Sequence, residues 1–161
     1  MQWYFRMQIF SRFRAYFGTI FALFPFVLVG PIFIRFIKYP GVLIATLSMV
    51  WTIYRPVQVL YDANLALCFF LFSPQSLARM GSSAFVALCC LMVPVLLNIV
   101  DHWMWLDVNN GNANYMFFQC LAYNVFLAII LGQFTSASMQ RDKALRLTFR
   151  KELERGLSNA G

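Results

Sequence analysis

The sequence predicts an all-α integral membrane protein: about four or five transmembrane or re-entrant helices, followed by a cytoplasmic amphipathic helix at the carboxyl end. Three observations carry this reading. Hydrophobic residues make up 61% and charged residues only 12% of the 161 positions, well outside the composition of a soluble domain. The apolar residues fall in long unbroken runs rather than in an amphipathic period. Each α-helical crossing takes about 20 apolar residues, so a chain of this length holds one helical unit and no large soluble domain beside it.

The elements follow in order. The start, MQWYFRMQIFSRFRAYF, interleaves aromatics with Arg6, Arg12 and Arg14. It lacks the apolar core and small-residue site of a signal peptide, and reads as an interfacial segment leading into a first span at about residues 15–37. That span carries Pro25, Gly30 and Pro31, and two prolines predict a kinked helix. GVLIATLSMVWTIY and VQVLYDANLALCFFLF, separated at Arg55 and Pro56, are each short for a crossing. They fit either two thin or tilted spans or a broken, partly re-entrant pair. SPQSLARMGSS (73–83) reads as a polar loop, and Ala84 to about Trp105 as a span anchored by Trp103 and Trp105. After an asparagine-rich loop, Asn109–Asn114, comes a span from about Tyr115 to Leu131.

The last stretch, QRDKALRLTFRKELERGL, repeats Leu145, Phe149, Leu153 and Leu157 at four-residue intervals beneath a charged face, the pattern of a helix lying on a membrane surface. Residues 1–138 therefore read as the polytopic helical unit and 139–161 as a basic amphipathic tail. Six of the thirteen basic residues lie in the last 21 positions. By the positive-inside rule the tail is cytoplasmic and the Asn109–Asn114 loop, which has no basic residue, is on the opposite side. The net charge of +7 thus reads as juxtamembrane and implies no nucleic-acid partner. Cys68, Cys89, Cys90 and Cys120 lie within apolar runs without metal-ligand spacing and read as small core residues.

Two polar constellations stand out. Asn98, Asp101, His102 and Trp105 recur at i, i+3, i+4 and i+7 and share one helical face, while Tyr115, Gln119 and Tyr123 form a stripe on the next span. Closed by Asn110, Gly111, Asn112 and Asn114, these faces predict a polar pocket just below the membrane surface, the kind of position at which intramembrane polar groups carry function. The competing explanation is that the asparagines cap two helices and make a turn. Asn109 and Asn110 read that way, and Asn112 and Asn114 stand open between cap and ligand contact. His102, with no second histidine or cysteine near it, reads as an interfacial residue rather than a metal ligand. The second constellation is Asp62, a carboxylate within an apolar run that costs about 2.5–3.5 kcal/mol if placed centrally. It requires a partner, and Arg55 lies on the same face if the helix continues through Pro56. Asp62 and the Asp101/His102/Asp107 group are the candidates for acid–base work. No nucleophile with a base on a matching face accompanies them, so no catalytic residue, metal or cofactor is expected.

WLDVNNGNANYMFFQCLAYNVFLAI resembles the segment near the carboxyl end of the U subunit of glycosylphosphatidylinositol (GPI) transamidase, with Trp105, Asn112, Asn114, Tyr115 and Asn124 in register. WYFRMQIFSRF resembles an aromatic stretch of the same family through Trp3, Tyr4, Phe5, Phe10 and Phe13. Between them Pro31, Arg35, Pro40, Arg55 and Asp62 fall where the family shows P, K, P, K and D. Gln8, Ser11 and Arg12 replace two acidic residues and a histidine, and Gly132–Gln133 stand where the family has Ser-Asp. The resemblance covers only the carboxyl-terminal part of family members, and the length fits a shortened subunit of protozoan type.

This resemblance implies a multi-pass, non-catalytic subunit of the GPI transamidase complex in the endoplasmic reticulum membrane, which attaches GPI anchors to proteins. Its partners would include a caspase-like protease subunit carrying the catalytic cysteine and histidine, together with GPI lipid and phospholipids. On this reading Asn112, Asn114, Tyr115, Trp105, Gln119, His102 and Asp101 contact GPI, and Asp62 and Arg55 are structural. Two alternatives remain: a membrane glycosyltransferase or acyltransferase fragment with Asp62 or Asp101 as base, and a pure assembly scaffold.

Overall fold

The computed structural model describes residues 14–55 and 60–158. The aromatic start from Trp3 to Phe13, residues 56–59 with Pro56, and the last three positions lie outside the described residues. Within them the chain forms α1 (Arg14–Phe36), α2 (Pro40–Tyr54), α3 (Leu60–Phe69) with a 3₁₀ turn at Phe70–Phe72, α4 (Pro74–Met80), α5 (Ser82–Leu106) and α6 (Ala113–Ser158), with no strand among the described residues. α2 lies at the centre, against α1, α3 and α6, while α5 and α4 both pack on α6.

The core is built from stripes of small or apolar residues at three- and four-residue spacing. α2 buries Val42, Ala45, Thr46 and Met49, α3 buries Ala63 and Ala66, α5 buries Ala84, Ala87 and Leu91, and α6 buries Leu127, Ile130, Phe134 and Ala137. Alanines at the contacts let helix backbones approach closely, which is what drives association where the solvent is itself apolar. Phe134 is fully buried and stacks on Phe70 with ring centroids 4.0 Å apart and planes 11° from parallel. Large apolar side chains outside these stripes point outward: Phe26, Val27, Ile34, Phe85 and Phe118 are all more than 60% exposed. That is the surface a lipid-embedded bundle presents.

Among the described residues two helices have the length and hydropathy of a full crossing, Ser82–Leu106 and the Asn114–Arg155 stretch of α6. The apolar helices Ala22–Phe36, Pro40–Tyr54 and Tyr61–Phe72 are shorter. At about 1.5 Å per residue α2 spans ~22 Å, short of a hydrocarbon core of about 30 Å.

Three expectations are corrected. SPQSLARMGSS is not a loop. Pro74–Met80 is helical, with proline at its first position and Ser73 and Ser76 buried; only Gly81, at φ 65°, breaks the path into α5, a conformation glycine adopts without strain. Arg55 does not reach Asp62 along a continuous helix, because α2 stops at Tyr54 and Arg55 is extended, with ψ 135°, as a residue before proline prefers. The cysteines are not uniformly core residues, since Cys68 and Cys89 are exposed; in lipid an apolar thiol is as well placed outside as in. α6 itself crosses the expected boundary between 1–138 and 139–161 as one helix. α6 runs for 46 residues, about 69 Å, and the exposed Leu145, Phe149, Leu153 and Leu157 belong to the same rod as the span. Gly132 weakens a helix without ending it.

Asp142 ties this rod to the other helices. Its carboxylate accepts from the Tyr39 hydroxyl at 2.8 Å, pairs with Arg35 at 3.3 Å and with Arg146 at 3.0 Å, and is almost completely buried. The bond to Asp142 raises the pKa of Tyr39 above its ordinary value, so the phenol keeps its proton, and the contact, through neutral pH. The neighbouring Arg141 lies over the Tyr39 ring, 5.4 Å from its centroid, and donates to Ser73 Oγ at 3.2 Å, which joins α4 to the same cluster.

Two substitutions test this packing. Phe134→Ala should cost about 3–5 kcal/mol in reversible unfolding in detergent, against less than about 1 kcal/mol for Phe85→Ala on the outer surface. Asp142→Asn should destabilise by about 1–3 kcal/mol, because it leaves two half-exposed guanidiniums without a counter-charge. Tyr39→Phe, which removes one hydrogen bond, should cost about 1 kcal/mol.

Candidate functional site

The connection between α5 and α6 is short, running from Asp107 to Asn112. α5 closes normally, with the Asp107 amide donating to the Trp103 carbonyl at 2.9 Å. The chain then reverses through Asn109, at φ 53°, a left-handed conformation that asparagine tolerates better than other non-glycine residues. The Asn110 amide folds back to the Met104 carbonyl at 3.2 Å. Asn112 starts the next helix: its Oδ1 accepts from the Asn114 amide at 3.0 Å and its carbonyl from the Tyr115 amide at 3.0 Å, the geometry of an N-cap. Asn109, Asn110 and Asn112 therefore act first as turn and cap. Asn112 keeps its amide nitrogen for other contacts, and Asn114 is exposed with no side-chain partner within the loop.

Trp105 is fixed by this loop. A Cβ on Gly111 would fall 2.4 Å from indole Cδ2 and Cε3, so the backbone of Gly111 lies directly on the indole face and any side chain there would displace the ring. Trp105 remains 43% exposed beside it, an apolar plate held at the helix end. Tyr115, 59% exposed, stands at the start of α6.

Below the loop the two polar stripes meet. The Gln119 side-chain amide, buried to 7% exposure, donates from Nε2 to Asp101 Oδ2, a direct link between α5 and α6. Its Oε1 is also buried and has no partner among the described residues, which leaves an acceptor for a donor not supplied by these helices. The site is thus narrower than the pocket expected between the stripes: Asp101 and Gln119 close on one another, while Asn114, Tyr115 and Trp105 stay accessible above them. His102 is exposed. Asn124 is buried and donates to the carbonyl of Cys120 at 3.1 Å, a bond within its own helix.

Elsewhere, Arg55 and Asp62 form a hydrogen-bonded ion pair across the α2–α3 connection, and the carbonyl of Asp62 accepts from Thr52 at 3.5 Å. No group of three or more histidine, cysteine, aspartate or glutamate side chains comes together to hold a metal among the described residues. The cluster of Tyr39, Arg35, Arg146 and Asp142 was not foreseen from the sequence. Its one readable signal was the i, i+4 spacing of Asp142 and Arg146.

Comparison with known proteins bears on what this arrangement serves. The curated GPI transamidase component GAB1 of Saccharomyces cerevisiae is 28% identical over 130 residues, which cover 80% of this chain. The alignment covers 32% of the yeast protein, so the chain spans about a third of the relative it matches. No solved structure matches. Residues 1–123, from the aromatic start through the asparagine loop to the first turns of α6, match the family described as GPI transamidase subunit PIG-U, and the chain belongs to that family.

Proposed function

We propose that this protein is a non-catalytic, multi-pass subunit of a GPI transamidase in the endoplasmic reticulum membrane, and that the α5–α6 end helps to hold the glycan of the GPI lipid. The observation that carries the second part is the grouping of uncharged donors and acceptors around one aromatic plate: exposed Asn114 and Tyr115, the free amide nitrogen of Asn112, and the buried unpaired Oε1 of Gln119, beside Trp105 resting on Gly111. A sugar offers hydroxyls that both donate and accept. Amides answer both without a fixed charge, and an aromatic face covers the C–H side of the ring.

The charged groups support the non-catalytic reading. A general base works with a nucleophile or a second acid–base group on a matching face; instead Asp62 is paired with Arg55 and Asp101 is bonded to the Gln119 amide, each in a contact that holds helices together. This weighs against the transferase alternative. In this reading the cleavage chemistry belongs to a caspase-like partner subunit, and this chain contributes lipid binding and assembly. The scaffold alternative draws on the cap made by Asn112, which gives that residue a role without any ligand.

The cap must be preserved if the two readings are to be separated. Asn112→Ser keeps an N-cap oxygen and removes the amide, and Asn114→Leu removes donor and acceptor from an exposed position. The double substitution should lower GPI attachment to a reporter protein about five- to 150-fold, from about 0.5–1.5 kcal/mol for each lost hydrogen bond. Recovery of the intact complex should be unchanged. Normal attachment would remove these two amides from the glycan site, and joint loss of attachment and complex would favour the scaffold.

A further inference from the structure

At the opposite end of the bundle, a groove of about 630 Å³ runs between the carboxyl-terminal turns of α1 and the outer part of α6. We propose that it holds one anionic phospholipid of the surrounding bilayer, with the phosphate among Arg35, Lys38 and Arg146 and an acyl chain along Gly30, Pro31 and Ile34. The site shares no residue with the asparagine end and stands independently of the glycan reading.

Charge sets the occupant. Three cations line the groove, and the one carboxylate beside them, Asp142, is shared between Arg35 at 3.3 Å and Arg146 at 3.0 Å. Lys38 has no acidic partner among the described residues. Three positive charges against one negative leave a local excess of +2, suited to a phosphodiester with or without a further headgroup anion. Arg35 and Arg146 remain 43% and 66% exposed. Each guanidinium carries five N–H donors in a planar fork, of which Asp142 engages only part, so outward-facing donors remain for phosphate oxygens. Asp142 also limits the freedom of both arginines, which lowers the entropy lost when a ligand binds them.

The groove floor sets the class of ligand. Gly30, Pro31 and Ile34 lie at three- and four-residue intervals on one face of α1, with Val27 one turn before them on the same face and Lys38 just beyond the end of the helix. Val27 and Ile34 are 68% and 79% exposed, so an apolar track leads straight down from the basic rim. Gly30 leaves the track open, since a Cβ placed there would meet nothing within 4 Å. A soluble anion would use the rim alone; a lipid uses rim and track together.

Gly30→Leu separates these cases without disturbing the fold, because the new side chain enters free space and leucine favours a helix over glycine. The purified full chain in neutral detergent is titrated with phosphatidylserine, phosphatidylcholine or inorganic phosphate, and binding is read from the shift in thermal midpoint. Phosphatidylserine should stabilise the protein, whereas phosphatidylcholine and phosphate should not. Lys38→Gln should weaken the phosphatidylserine response about fivefold, the weight of one basic residue near a membrane surface. Gly30→Leu should weaken it while leaving the lipid-free midpoint unchanged or higher. Lys151→Gln, which removes the same charge from an exposed part of α6, should have no effect. Equal responses to phosphatidylserine and phosphatidylcholine or phosphate would overturn the proposal. So would equal losses from Lys38→Gln and Lys151→Gln, or full binding by Gly30→Leu.

Discussion

In a bundle surrounded by lipid, each polar group must find its partner inside the protein, and most of the internal geometry of this chain follows from that. The short side chains meet the requirement within their own helix. Thr46 donates to the carbonyl of Val42 at 2.8 Å, Ser48 to that of Ala45 at 3.0 Å, Thr52 to that of Ser48 at 2.9 Å and Thr135 to that of Leu131 at 3.0 Å. Such bonds cost nothing in helix position and leave the surface free for packing. The carboxylates cannot be satisfied this way and reach across: Asp142 from α6 to α1 and Tyr39, Asp101 from α5 to α6, and Asp62 across the α2–α3 connection. An interhelical hydrogen bond at membrane depth contributes only about 0.6–1.7 kcal/mol. Its larger effect is to exclude every packing that leaves the carboxylate alone, so these three residues specify which helices lie together.

The sequence announced most of the helices and little of how they meet. Hydropathy placed α1, α5 and the first half of α6 within a few residues, because an apolar run of fixed length is a local property. Asp62 marked itself as needing a partner, and the partner was Arg55, although α2 stops at Tyr54 and Arg55 itself is extended rather than helical. Other features depended on tertiary contact and gave no local sign. Ser73 and Ser76 look like loop residues by composition, yet they are buried because Arg141, 68 residues away, donates to Ser73. Asp142 sat in a run of charges typical of a solvated tail, and nothing nearby marked it as the acceptor for Tyr39. At the asparagine loop, composition signalled a special turn, but the division of labour among Asn109, Asn112 and Asn114 follows from backbone angles that composition does not encode.

The two ends of the bundle differ in chemistry. At the α5–α6 loop the accessible polar groups are mainly neutral amides and a phenol beside an indole, with the Asp107 carboxylate and His102 at the end of α5. At the other end they are guanidiniums and an ammonium above an apolar track, suited to phosphate and weakened by salt. One chain therefore offers two kinds of surface to an amphipathic ligand.

The distance between the two is set by α6 alone. Gln119 and Asp142 lie on one uninterrupted helix, 23 residues apart, which at about 1.5 Å per residue separates them by ~35 Å. That is slightly more than the roughly 30 Å of a hydrocarbon core, so both polar contacts can sit at opposite interfaces while Leu127, Ile130 and Phe134, the most deeply buried residues of α6, fall between them. A helix broken near residue 131, as a separate span and surface tail would require, would let one end move without the other. The continuous helix instead holds both contacts in one element, with Gln119 near its start and Asp142, joined to Arg35, Arg146 and Tyr39, about six turns further along it.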